Sequence, residues 1–305
     1  MKSFLSRTSR IACAALVASA CWPTAPALAQ ARQTIVPCNT AALITAINNA
    51  NTAGQGVLLL APACTYTLNA AASMGTRGPN GLPIINSNLT ILGRGATIRR
   101  AAGAPEFRIM EIAQGRTVIL NLLTISGGDA GPNPGGGILN ARGLLTLQNV
   151  TITNNTADSG AGLANDTGQV TMSSGSVTNN DTGNGGGGGG IYNDGMLNMT
   201  AVAVRNNRAN TSGGGIYNEL GGVATLVATI IQGNEAEQRG GGLYNGPGGV
   251  ARLTGTTVIQ NTAGDTGGGI YNATFTGAVT LTASAVVANT PNNCAPPGTV
   301  PGCTN

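Results

Sequence analysis

The sequence predicts an all-β solenoid: one continuous stack of short parallel strands, with a single helix near its start. Three observations carry this. A six-residue phrase returns along the chain, as GGGILN at 135–140, GAGLAN at 160–165, GGGIYN at 188–193, 213–218 and 267–272, and GGGLYN at 240–245. Its closing asparagines fall ~25 to 28 residues apart, the period of a solenoid rather than of a globular core. Each period also holds two short alternating apolar runs, such as 144–147 with 150–152, and 223–226 with 229–231. Three β stretches per period, with no helical pattern between them, predict a coil of three sides. Stacked coils then pair their strands in parallel at ~4.8 Å per rung.

The residue types suit such a coil. Alternation turns the Ile or Leu of each phrase one way and the next residue the other. A coil must bury something along its axis, so the aliphatic points inward, and the closing asparagine with it. These asparagines are Asn140, Asn165, Asn193, Asn218, Asn245 and Asn272. Their amides are expected to hydrogen-bond from rung to rung as a ladder, which satisfies polar groups that are costly to bury alone. A second series, Asn155, Asn180, Asn207, Asn234, Asn261 and Asn289, is placed at the far corner, on the ground that asparagine tolerates left-handed backbone. The glycines let the chain approach the strand without a side chain.

The phrase GG-G/A-I, together with an N-x-A corner as in Asn234-Glu235-Ala236, resembles the repeat of polymorphic outer-membrane proteins. More broadly the chain is similar to secreted right-handed parallel β-helix proteins of the pectin-lyase-like type, over nearly all of its length past the leader. The resemblance implies a single right-handed β-helix of nine or ten rungs. It also implies secretion, or a place on the surface or outer membrane of a bacterium. The fold hosts enzymes, adhesins and inert shafts, so it does not by itself name an activity.

Residues 1–29 read as a secretory signal: Lys2, Arg7 and Arg10 start it, 11–20 is its apolar run, and Ala27-Leu28-Ala29 its cleavage site. The alternative is processing at Cys21, giving a lipoprotein anchored there. Of 15 basic and 11 acidic residues, three basic ones leave with the signal, so the remaining balance is about +1. That is no footprint for nucleic acid or for a membrane surface. No transmembrane segment is expected after signal removal, and the chain is expected to act as a monomer. Beyond the leader the domain runs from 30 to 305.

Past the leader lie Cys38, Cys64, Cys294 and Cys303. Stacked rungs hold the two pairs tens of Å apart, whereas bridged Cα atoms lie within ~7 Å. The pairing expected is therefore Cys38–Cys64 and Cys294–Cys303. Residues 39–53 form the one helical stretch, with Asn39 or Thr40 as cap and Leu43, Ile44, Ile47 and Ala50 on one face. The resemblance implies that this helix covers the N-terminal end of the coil. Residues 38–64 thus form the N-terminal cap and first strands. Strands at 89–92, 97–98, 108–112, 118–120 and 123–125 continue the coil without the glycine phrase. The glycine-rich repeats occupy 135–290, with 183–190 as an irregular corner loop. The tail 291–305, closed by its disulfide, is expected to blunt the other end.

Little in the sequence announces catalysis, and no catalytic residue is assigned. Histidine is absent, and lysine is absent past the leader, which removes the polygalacturonase-like set that the fold would otherwise suggest. Two columns remain. Asp166, Asp194 and Glu219 follow successive phrases and should stack ~5 Å apart; they either hold calcium or form a solvated acidic corner. No other cofactor is required. Tyr192, Tyr217, Tyr244 and Tyr271 share one phrase position; they either present a strip on which sugar rings lie or staple the rungs together. Asp158, Asp181 and Asp265 could form a second acidic corner, and Arg208 is expected to pair with Glu235 on the next rung. The function expected is a secreted or surface β-helix, non-catalytic, adhesin-like or glycan-binding, with polysaccharide or cell-surface glycan as partner. The alternative is a polysaccharide lyase or related enzyme acting on acidic polysaccharide, with Asp166, Asp194 and Glu219 as metal ligands and an arginine as base.

Overall fold

The computed structural model describes residues 33–183, 185–273 and 278–305. The leader expected over 1–29, with Cys21, lies outside them. The described chain is an all-β parallel β-helix with one short helix near its N-terminal end. The longest path of hydrogen-bonded strands crosses ten strands, one per turn.

Most of the path is built from long strands: Asn88–Arg100, Thr117–Ser126, Leu144–Thr153, Gln169–Thr178 and Met196–Arg205. Asn88–Arg100 bends at two residues of positive φ, Arg94 and Gly95, and each of the others at one, namely Leu122, Asn149, Ser174 and Ala201. One strand thereby supplies two of the coil's three sides. In the following turns the same two sides are separate strands, Val223–Val227 with Ile230–Gln232 and Val250–Thr254 with Thr257–Ile259. Alternation places Leu145, Leu147, Val150 and Ile152 on the axis, where they are buried.

The glycine phrase makes the third side. Ile138–Ala141, Leu163–Asp166, Ile191–Asn193, Ile216–Asn218, Leu243–Asn245 and Ile270–Asn272 pair in parallel, phrase on phrase without slippage. The middle glycine is needed for close approach: a Cβ on Gly214 would run into the carbonyl oxygen of Glu235 on the next rung.

Both asparagine ladders form. In the phrase ladder each Nδ2 donates to the Oδ1 of the next rung at 2.7–3.0 Å, from Asn140 through Asn272. In the corner ladder Asn155, Asn180, Asn207, Asn234, Asn261 and Asn289 connect in the same way at 2.9 Å. One expectation is corrected. The left-handed residue of this corner is the one before the ladder, namely Asn154, Asn179, Asn206, Gly233, Gln260 and Ala288. The ladder asparagines are buried, because the turn made one residue earlier aims the next side chain at the axis.

Each end of the described coil carries elements outside the repeat. Helix α1, Thr40–Ala53, starts at Asn39, whose side chain accepts from the Ala42 amide, and stops at Gly54 in left-handed conformation. Its buried Leu43, Ala46, Ile47 and Ala50 join the core beside the first strands, which include a strand at Gln33–Val36 that the sequence did not announce. Cys38–Cys64 and Cys294–Cys303 are both formed, with Cα separations of 5.6 and 6.3 Å. Each contributes ~2–4 kcal/mol by constraining the unfolded chain. At the far end Val300 is buried, and the Thr299 carbonyl accepts from Asn272 at the end of the phrase ladder. No helix among the described residues is long and apolar enough to cross a membrane.

Candidate functional site

The outward column of the third side carries most of the unusual chemistry. By strand register it runs Glu111, Leu139, Ala164, Tyr192, Tyr217, Tyr244, Tyr271 and Ala295. Its early part is roofed by an antiparallel hairpin, Ser73–Gly75 with Gly78–Asn80, that leaves the coil. The hairpin is pinned by Arg108. This guanidinium is fully buried. It donates to Asn80 Oδ1 at 2.9 Å, to Glu111 Oε2 at 3.3 Å, to the Pro134 carbonyl at 3.2 Å, and to the Arg77 carbonyl. Burial pushes its pKa down, and the adjacent Glu111 carboxylate opposes that. A buried charge of this kind persists only when its donors are filled.

Where the hairpin ends, a cleft of about 500 Å³ opens between it and the corner of the coil, lined among others by Arg77, Glu111, Gln114, Arg142 and Asp166. Arg77 at the hairpin turn crosses the cleft to Asp166, 2.7 Å away. Arg142 is held at positive φ and donates to Thr167 Oγ1 at 3.2 Å. Sequence reasoning missed Glu111, Arg108 and the hairpin. The only signal was Met110-Glu111-Ile112, which occupies the phrase position of its rung without the glycines.

The predicted acidic column exists in register, and two of its three members have other partners. Asp166 is engaged by Arg77. Glu219 accepts from the Tyr192 hydroxyl at 2.9 Å and from the Leu220 amide at 3.0 Å. Among the described residues no three His, Cys, Asp or Glu side chains gather as a metal site. Asp194 is held above its ordinary 3.8, first by burial, then by the charges of Asp166 and Glu219, with Arg77 opposing. A carboxyl raised on folding weakens the fold while ionised. That penalty is full above the folded pKa, fades as pH falls through it, and is gone below 3.8. Asp194→Asn is therefore expected to raise the melting temperature at neutral pH and to leave it unchanged below about pH 3.8. Thermal melts across acid pH check this.

The tyrosines answer the second question. Successive rings are stacked, with centroids 5.5, 4.5 and 5.4 Å apart and interplanar angles of 16°, 24° and 1°. Arg239 lies over Tyr271 at 5.2 Å from its centroid. Burial, then the hydrogen bond and charge of Glu219, push the Tyr192 hydroxyl well above its ordinary pKa. Ring faces are thus occupied by neighbouring rings, and the column presents edges and hydroxyls. This differs from a strip on which sugar rings would lie flat, and it matches a staple. Tyr217→Ser, which removes two stacking partners, is expected to cost about 1–3 kcal/mol in urea unfolding. A variant that kept full stability and lost only glycan binding would contradict the staple.

The other expected groupings do not assemble as written. Arg208 pairs with Asp181 at 3.9 Å and with Glu237, not with Glu235. Glu235 is its register neighbour on the next rung, where alternation aims both side chains outward in parallel. Asp158 lines a separate cleft with Glu106 and Asp129, while Asp181 faces Arg208 and Asp265 sits on a later turn. These three aspartates stand in different register columns and, among the described residues, do not gather into one cluster. Comparison of the chain with protein-family models, curated proteins and solved structures finds no match to any of them.

Proposed function

We propose that the chain is an exported, non-catalytic β-helix that binds a polysaccharide or cell-surface glycan in the cleft beside the 73–80 hairpin. The cleft itself carries this reading. It is open, its lining is part polar and part apolar, and it sets Arg77 of the hairpin opposite Arg142 of the coil, with Glu111 and Asp166 between the same walls. Guanidinium forks match carboxylate geometry, so Arg142, and Arg77 on exchanging its Asp166 partner, suit the carboxylates of an acidic polysaccharide. Two disulfides suit an oxidising compartment outside the cytoplasm. The resemblance of the GG-G/A-I phrase to repeats of polymorphic outer-membrane proteins supports a surface or adhesin-like role.

The test is direct binding of polygalacturonate and of neutral dextran. Binding of the acidic polymer, weakened about tenfold or more in the double variant Arg77→Ala, Arg142→Ala, is the expected result. Equal binding by that variant would remove the cleft from the reading. A second reading, a lyase on acidic polysaccharide, draws on the presence of Arg142, Glu111 and Asp166 in the same cleft. Release of unsaturated product from polygalacturonate would establish it. Calcium belongs to that reading, and calorimetry with calcium alone, showing no heat, would dispose of it.

A further inference from the structure

The side of the coil that bears no charge is as regular as the charged one. The first facet of the long sheet comprises 117–121, 144–148, 169–173, 196–200 and 223–227, five rungs in unbroken register. Not one of its residues is ionisable. Charge returns only at Arg252 on the next rung. The outward middle column reads Ile119, Thr146, Thr171, Asn198 and Thr225. Beside it stand Thr117, Leu144, Gln169 and Met196, of which Leu144 and Met196 are 46% and 49% exposed. The third column carries Asn121, Gln148, Ser173 and Thr200.

We infer that this facet is a docking surface for an ordered, uncharged polysaccharide, distinct from the cleft and independent of it. Charge decides the class of partner. A facet without ionisable groups gives no return for the desolvation of a charged polymer, and it does suit a neutral one. Chemistry narrows it further. Hydroxyls and amides both donate and accept, as sugar hydroxyls require. Half-exposed Leu144 and Met196 offer apolar contact to the C–H faces of sugar rings, which an ordered water lattice would not use. No aromatic residue lies in the five strands of this facet, so no single ring is gripped tightly. Weak contacts repeated every ~4.8 Å become useful only to a partner that repeats as well, because multiple sites then add as avidity.

The experiment is co-sedimentation of the full chain with microcrystalline cellulose and with chitin. The intact protein is expected to pellet with at least one of them. Thr171→Glu, which puts a charge in the centre of the facet, is expected to weaken that binding at least tenfold, and Met196→Ser, which only removes apolar contact, to weaken it several-fold. Circular dichroism confirms that each variant keeps its strands. The Arg77→Ala, Arg142→Ala variant is expected to pellet like the intact protein, so failure of the cleft and failure of this facet give different patterns. The inference is overturned if neither polymer is bound, if Met196→Ser and a folded Thr171→Glu both bind normally, or if the facet variants alter only the inhibition of ice growth.

Discussion

Asn207→Ala is expected to cost about 3–5 kcal/mol and to broaden the unfolding transition. Asn207 Oδ1 accepts from both the backbone amide and the side-chain amide of Asn180, and its own Nδ2 donates to Val177 O and to Asn234 Oδ1, at 2.9–3.0 Å throughout. Alanine leaves the buried Asn180 backbone amide without its acceptor. It also takes one bond each from the Asn180 side chain, Val177 O and Asn234 Oδ1, although Asn180 Nδ2 keeps Ile152 O and Asn234 Oδ1 keeps the Asn207 amide. An orphaned buried group costs ~1–3 kcal/mol and each lost bond adds ~0.5–1.5 kcal/mol. The site sits in the middle of a ladder, so the turns on either side lose a shared bond. In a linear stack the interface between neighbours is the source of cooperativity. Urea unfolding followed by circular dichroism checks both the midpoint and the slope. Asn140→Ala is a useful control, because Asn140 Oδ1 is buried without a donor already. Its replacement is expected to cost less.

Arg108→Met is expected to cost a similar amount, about 3–5 kcal/mol, for a different reason. The substitution removes a buried cation and leaves Glu111, 7% exposed, without its counter-charge. Breaking one partner of a buried pair is costly in this range. The pinned carbonyls of Arg77 and Pro134 lose their donors as well. A local signature accompanies the global one: the 73–80 hairpin, freed from the coil, should become the first site of proteolytic cleavage. Arg108→Met with Glu111→Leu, which removes both charges, is expected to recover most of the loss. Equal instability in the single and double variants would show that packing rather than charge is responsible.

How much of this was legible depends on repetition. The phrase, its parallel register and both inward ladders could be read because each asparagine recurs at one place in every period. The disulfide pairing followed from the same geometry, since a stack keeps its two ends apart. The tyrosine staple was open in the sequence, although rung spacing decides it: aromatic rings on adjacent rungs ~4.8 Å apart are already at stacking distance. The turn at Asn154, Asn179 and Asn206 was misplaced by one residue, because two asparagines stand side by side and either can adopt positive φ. Arg108, Glu111 and the hairpin were invisible for the opposite reason. They occur once, and their partners Asn80, Arg77 and Pro134 lie 26 to 31 residues away with no periodic signal. The candidate site sits at the place where the repeat is broken.

The non-repeating elements at the two ends have a further consequence for how such a chain can change in length. Neither α1 nor the 291–305 tail touches the middle turns, and the ladder bonds are the same at every step between. Excising 213–239, one whole period, would bring Asn193 beneath Asn245 and Asn207 beneath Asn261 with the same partners. Duplicating it would lengthen the rod by ~4.8 Å. The architecture is a ruler whose graduations can be added or removed while its two stoppers stay as they are.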